Sequence, residues 1–194
     1  MNIILASGSP RRRELLDMAG FSFEIIPADV DETADPALSP DQLVAHLSEK
    51  KAFHTRDMLK RQKAQNKHDA AVVIGADTVV AIDDLILGKP KDEDDAFDML
   101  SRLQGRAHTV FTGVTVTACK ADKTLTFVES TKVFMRTLTE SEIRAYMATG
   151  EPFDKAGAYG IQEKGAVLIE RVEGDYFTVV GLPLCRLSLT LNEF

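Results

Sequence analysis

The chain has 194 residues, 44% of them hydrophobic and 27% charged, which is ordinary globular composition and enough length for one domain with a sizeable core. A formal net charge of −7 argues against DNA or RNA held by phosphate attraction, while leaving room for a small phosphorylated ligand in a local basic pocket. Two distant cysteines, Cys119 and Cys185, with no CxxC pair and no zinc spacing among the four histidines, read as buried thiols in a reducing compartment; no apolar run reaches the length of a membrane span or of a signal peptide's apolar region.

Residues 2–7 predict a buried strand. Ser9 is a natural N-cap and Pro10 fits the first turn of a helix running to about Ala19, with Gly20 as its stop. Residues 21–27 read as a second strand. Residues 28–41, with five acids, no base and two prolines, read as a loop. A helix over about 40–62 follows, with Leu43, Val44 and Leu47 on one stripe. Val72 to Ala81 is a near-continuous apolar run and therefore a buried strand, turned back by Asp83-Asp84 into Leu85–Leu87. Gly88-Lys89-Pro90 breaks the pattern. Residues 92–104 form an acid-started amphipathic helix with Phe97, Leu100 and Leu103 inward, closed by Gly105. Segments 107–118 and 124–136 predict a hairpin of long strands. Thr139 and Glu142 make a capping box for a helix that stops at Gly150. Residues 154–165 read as a glycine-rich loop, strands near 166–172 and 176–180 flank a turn at 173–175, and Pro183 opens a last helix. Strands and helices mix without strict alternation, which predicts one α/β domain over residues 1–194, a twisted mixed sheet with flanking helices; two lobes around a cleft also fit.

Six places carry chemistry. In Ser7-Gly8-Ser9-Pro10-Arg11-Arg12 a strand enters a short loop that opens a helix, where free N–H groups and the helix dipole favour an anion and glycine permits close approach. Arg11 and Arg12 precede Leu15 and Leu16 by four residues and share their face, whereas Arg13 goes with Asp17 toward solvent. Cations in a first turn oppose the dipole, so three in a row point to a bound anion over a merely solvated basic turn. Lys51 extends the stripe of Leu43 and Leu47, so it either snorkels at a rim or points into a site. Asp77 lies inside an apolar strand, where a carboxylate is costly unless paired, hydrogen-bonded or on a metal. It is a candidate for Mg²⁺ or for a base toward water, against the alternative of capping amides at a strand kink. Gly75 beside it predicts a close backbone approach or a bulge. Glu32 can share a cation with Asp77 or belong to a solvated acidic loop. Lys89 is a phosphate contact or an exposed turn lysine. The loop Asp154 to Gln162 has polar side chains at fixed places but is unremarkable alone.

Taken in order, Leu5-Ala6-Ser7-Gly8-Ser9-Pro10-Arg11-Arg12 with Leu15-Leu16, Asp31-Glu32, Lys51-Ala52, Gly75-Ala76-Asp77-Thr78, Gly88-Lys89-Pro90, Phe111-Thr112-Gly113, Asp154 to Gln162 and Val180-Gly181-Leu182-Pro183 resemble the signatures of the Maf family of nucleotide pyrophosphatases. The resemblance spans nearly the whole chain. It implies a two-lobed fold similar to inosine triphosphate pyrophosphatases, a divalent cation (Mg²⁺ or Mn²⁺) and cleavage between the α and β phosphates of a nucleoside triphosphate. By motif, Asp77 is the proton acceptor, and Ser7, Arg11, Arg12, Glu32, Lys51, Lys89 and Gln162 line the site; Glu32 and Asp77 are the expected metal ligands, and Ser7, Arg11, Arg12, Lys51, Lys89, Thr78 and Gln162 the expected substrate contacts. Arg11, Thr78 and Gln162 resemble the branch acting on dTTP and UTP, with modified pyrimidine triphosphates as further substrates. A sister branch acting on 7-methyl-GTP differs at those three places and is expected to carry a base-stacking aromatic instead of Arg11; this chain has no tryptophan. The resemblance further implies a homodimer and links to nucleotide-pool cleansing and cell-division arrest; the charge, the cysteines and the short apolar runs predict a cytoplasmic protein with no nucleic-acid or membrane partner. A nucleotide-binding regulator with little turnover is the alternative to an enzyme.

Overall fold

The computed structural model describes residues 1–61, 68 and 70–194. Seven strands form one mixed sheet: β1 (Asn2–Leu5), β2 (Phe23–Ile25), β3 (Ala71–Ile82), β4 (Leu85–Leu87), β5 (Ala107–Ala118), β6 (Thr124–Met135) and β7 (Ile169–Glu173), in the order β2-β1-β3-β5-β6-β7 with β4 on β3. β1 runs parallel to both β2 and β3, while β3–β4 and β6–β7 are antiparallel. The helices are α1 (Pro10–Met18), α2 (Pro40–Arg61), α3 (Glu93–Leu103), α4 (Glu140–Met147), α5 (Tyr176–Val180) and α6 (Leu184–Leu191). This is the expected mixed α/β architecture. The predicted end of α2 at residue 62 lies outside the described residues.

The chain divides into two compact units. The first comprises Met1–Asp77, Thr112–Glu129 and Gly181–Phe194; the second comprises Thr78–Phe111 and Ser130–Val180. The first has an apolar cluster of Ile4, Ala6, Leu59, Ala71, Val73 and Cys119. The second is built on Val80, Leu100, Leu103, Val110, Val133, Met135 and their neighbours.

Local chemistry explains most boundaries. Gly20 ends α1 in the left-handed region (φ 77°). Asp83 takes φ 52° in the two-residue turn between β3 and β4, where a left-handed conformation matches the strand twist. The Thr139–Glu142 capping box is complete: the Thr139 hydroxyl accepts from Glu142 N–H and the Glu142 carboxylate from Thr139 N–H.

Four expectations are corrected. Residues 176–180 form α5, not a strand, because Asp175 caps it: its carboxylate accepts from the N–H groups of Phe177 (3.1 Å) and Thr178 (3.2 Å), outweighing the β-preference of Tyr-Phe-Thr-Val-Val. The loop at 154–165 is more ordered than expected, since short 3₁₀ turns occupy Glu151–Asp154, Ala156–Ala158 and Glu163–Leu168, and β7 starts only at Ile169. Ser9 stands at the N-cap of α1 but its side chain makes no cap bond. Cys119 is buried as expected, but Cys185 is exposed on α6.

In the first unit, α2 lies against the strands at two glycines. A Cβ on Gly75 would fall 2.3 Å from Ser48 O and 2.7 Å from Ala52 N; one on Gly113 would fall 2.3 Å from Val44 O. The close approach expected at Gly75 is therefore real, and Ser48, fully buried, bonds Thr115 of β5 across the same contact (2.9 Å). Gly75→Ala or Gly113→Ala forces backbone apart and is expected to lower stability by ~1–3 kcal/mol in urea unfolding. Gly88→Ala, which meets open space, is expected to stay within ~0.5 kcal/mol of the parent protein.

Candidate functional site

The parallel pairing of β1 with β3 sets the site's position. Leu5 pairs with Ile74 and Ala6 N–H donates to Ile74 O, so the loop leaving the end of β1 at Ser7 comes beside the middle of the longer β3, where Asp77 lies. The end of a parallel strand is where open α/β sheets bind ligands. Ser7 is buried; its hydroxyl accepts from Ser9 N–H (3.2 Å) and from Arg12 Nη1 (3.3 Å). Arg12 also donates through Nε to Gly181 O at 2.8 Å, which fixes the guanidinium at the helix entry. Arg11 and Arg12 are half-buried, Arg13 is exposed, and Leu15 and Leu16 are buried, as the helical phase predicts. α1 has no acid in its first turn to offset these cations. Burial pulls the Arg12 pKa below its ordinary value; Asp77 opposes this, Arg11 adds to it, and Glu32 opposes it. Arg12 thus lies within the field of both carboxylates.

The close approach at Gly75 carries Lys51, the residue before Ala52, to the strand. Lys51 Nζ lies 2.6 Å from Asp77 Oδ1 and 2.8 Å from Glu32 Oε1. Lys51 and Asp77 are each 8% exposed, whereas the Glu32 side chain is 57% exposed in its loop. The inward phase of Lys51 is therefore met by pairing within a charge cluster. Glu32 and Asp77 thus meet at the Lys51 ammonium. The donor set suits a divalent cation of the magnesium type, since hard carboxylate oxygens converge on one cationic atom. Among the described residues no group of three or more His, Cys, Asp or Glu could hold a metal, so such an ion would draw further ligands from phosphate and water.

Thr78, Lys89 and Gln162 belong to the second unit. Thr78 is half-buried on β3, Lys89 is exposed in its turn, and Gln162 is half-buried just before the 3₁₀ turn at Glu163–Leu168. The structure brings two of the sequence motifs together here: Gly157 N–H donates to Gly88 O (3.0 Å), joining the Gly88-Lys89-Pro90 turn to the loop that carries Gln162.

What anchors that loop is not visible as a motif. Glu151 accepts from Tyr146 OH (3.0 Å), Gly165 N–H (3.1 Å) and Lys164 N–H (3.1 Å), and its own carbonyl accepts from Lys155 Nζ (2.8 Å). Tyr146 OH in turn accepts from Gly160 N–H (3.1 Å). Tyr159 is held by His108 on β5, with Nε2 and the phenol oxygen 2.6 Å apart and the rings edge to face. Lys155, Tyr159 and Gly160 belong to the Asp154–Gln162 motif, but their partners Glu151, Tyr146 and His108 are scattered along the chain with no spacing that announces them.

A family model described as Maf-like protein matches residues 2–194. The chain belongs to the Maf-like family. A dTTP/UTP pyrophosphatase of Acetivibrio thermocellus is 52% identical over 195 residues, covering 100% of this chain and 96% of the relative. One of Bacillus cereus is 49% identical over 192 residues, covering 99% and 95%. The solved structure of the Staphylococcus aureus Ham1 protein overlaps at a TM-score of 0.39 and 13% identity, covering 87% of this chain and 80% of that one, too loose an overlap to bear on the expected likeness to inosine triphosphate pyrophosphatases.

His108 generates a pH dependence. Burial pushes its imidazole from 6.5 down to about 4, and among the described residues its Nδ1 is the buried side-chain atom left without a hydrogen-bond partner. Between those values the unfolded chain binds the proton and the folded one does not. Stability is therefore whole above pH ~6.5 and falls as pH drops toward ~4, by roughly 3 kcal/mol in total. Urea midpoints across pH 4–7 are expected to show this slope, and His108→Phe to flatten it; an equal slope in the variant would assign the loss to other groups.

Proposed function

We propose that this chain is a nucleoside triphosphate pyrophosphatase that hydrolyses dTTP and UTP to the monophosphate and pyrophosphate. The observation that carries the reading is the cluster of Asp77, Lys51 and Glu32 beside the Ser7–Arg12 helix entry: buried acid for water, cations for a polyphosphate, where β1 ends against β3. The names of the relatives point to the same substrates.

In this reading the α-helix entry and the side chains of Ser7, Arg11, Arg12 and Lys51 receive phosphate oxygens, where preorganised donors stabilise the developing charge. Glu32 and Asp77 would hold Mg²⁺ or Mn²⁺, which would neutralise phosphate charge when bound. Asp77 accepts the proton of a water that attacks the α-phosphorus; the bond from that phosphorus to the bridging oxygen breaks and pyrophosphate leaves. Lys89 as a phosphate contact, and Thr78 and Gln162 with Arg11 as selectors of the base, are roles supported by the family resemblance. Modified pyrimidine triphosphates fit the same reading. A homodimer, supported by that resemblance, and a cytoplasmic location are also parts of it; among the described residues no helix is long and apolar enough to cross a membrane.

Pyrophosphate release from dTTP, UTP, CTP, ATP, GTP and 7-methyl-GTP with Mg²⁺ or Mn²⁺ tests the reading. Fast release confined to dTTP and UTP is expected. A preference for 7-methyl-GTP would overturn the roles of Arg11, Thr78 and Gln162, and binding without release from any of them would make the protein a nucleotide-binding regulator. Asp77→Asn is expected to lower kcat by about 10²–10⁴ while nucleotide binding persists; normal turnover in that variant would remove Asp77 as the base.

A further inference from the structure

We propose that Lys51 is the resident counter-ion of the cation site: its ammonium holds Glu32 and Asp77 together in the free protein and yields them to a divalent cation only when nucleotide phosphates take the ammonium over. The inference rests on the hydrolytic reading above and concerns the order in which that site is loaded.

Three observations converge on it. First, one ammonium nitrogen sits 2.6 Å from Asp77 and 2.8 Å from Glu32, the same two carboxylates that a divalent cation would use. Second, Lys51 and Asp77 are each 8% exposed, so separating them leaves two poorly solvated charges. Third, the described residues gather no group of three or more His, Cys, Asp or Glu that could hold a metal. A divalent cation arriving alone must break two charge-assisted contacts and leave a buried ammonium beside a like charge, with only water to complete its ligand set. A nucleotide removes each obstacle. Its phosphate oxygens accept the ammonium, and they supply further oxygen ligands to the cation. A lysine suits this exchange because its charge is compact and its four-carbon stem flexible, so the head can change partners without moving α2. The consequence is positive coupling between cation and nucleotide, equal in both directions because linkage is reciprocal.

The test is Mn²⁺ binding to the full chain, followed by the paramagnetic resonance of free Mn²⁺, with and without a dTTP analogue whose α–β bridge is non-hydrolysable. The parent protein is expected to bind Mn²⁺ weakly alone and roughly ten- to hundredfold more tightly with the analogue. Lys51→Gln is expected to bind Mn²⁺ alone roughly ten- to hundredfold more tightly than the parent and to gain little more from the analogue. Lys50→Gln removes the same charge one position along the helix, from a half-buried side chain, and is expected to behave as the parent does. The proposal is overturned if Lys51→Gln binds Mn²⁺ no more tightly than the parent, or if Lys50→Gln gains as much, since bulk charge then explains the change. If circular dichroism shows Lys51→Gln unfolded, the parent alone decides, and equal Mn²⁺ affinity with and without the analogue overturns the idea. No turnover enters these readouts, so a nucleotide panel without pyrophosphate release would sink the hydrolytic reading while the Mn²⁺ comparison is still decided by its own result.

Discussion

A carboxylate buried inside an apolar strand has to be compensated, and much of the first unit is arranged around that requirement at Asp77. The compensation comes from α2, and α2 reaches the strand because Gly75 has no side chain to hold it off. Lys51 follows from this geometry: it sits one residue before the helix position that touches Gly75, so its side chain is delivered to Asp77. Glu32 closes the arrangement from a loop rather than from a regular element. Backbone proximity, helix phase and charge balance therefore form one chain of cause, in which a methyl group at residue 75 acts on the same contact as a change at residue 51.

The arginine side is built by different means. Parallel pairing of β1 with β3 places the start of α1 beside the middle of β3, and the guanidinium of Arg12 is then fixed by Ser7 and by the carbonyl of Gly181. Loops are the usual carriers of function, but they need a rigid frame to hold them. Here the frame is strand pairing on one side and a long helix on the other, with the acidic loop contributing one exposed carboxylate.

How much of this was legible in the sequence depended on how local the cause was. The Thr139–Glu142 capping box, the stop at Gly20 and the Asp83-Asp84 turn act within a few residues, and each was readable directly. The inward face of Arg11, Arg12 and Lys51 followed from helical period. Residues 176–180 misled because β-branched and aromatic side chains favour strands, whereas a single aspartate cap before them decided the matter. Cys185 misled because a thiol's apolar character says nothing about which face of α6 it occupies. Lys51 was readable only as a lysine at a rim or in a site, with no partner named, since the path of residues 28–39, which brings Glu32 to it, obeys no periodicity. Glu151, Tyr146 and His108 gave no signal, because their hydrogen bonds join backbone and side chains that only the folded loop brings near.

The division of the chain also bears on the order of synthesis. The second unit is complete once Val180 has been made, but the first needs Gly181–Phe194 in addition to residues near the start. The bond from Arg12 to Gly181 spans 169 positions, so the first unit closes only when α1 meets a segment made after the whole of the second unit. Until that segment is made, Arg12 lacks the carbonyl that orients it, and the basic side of the site is set in place only after the residues of the second unit have all been joined.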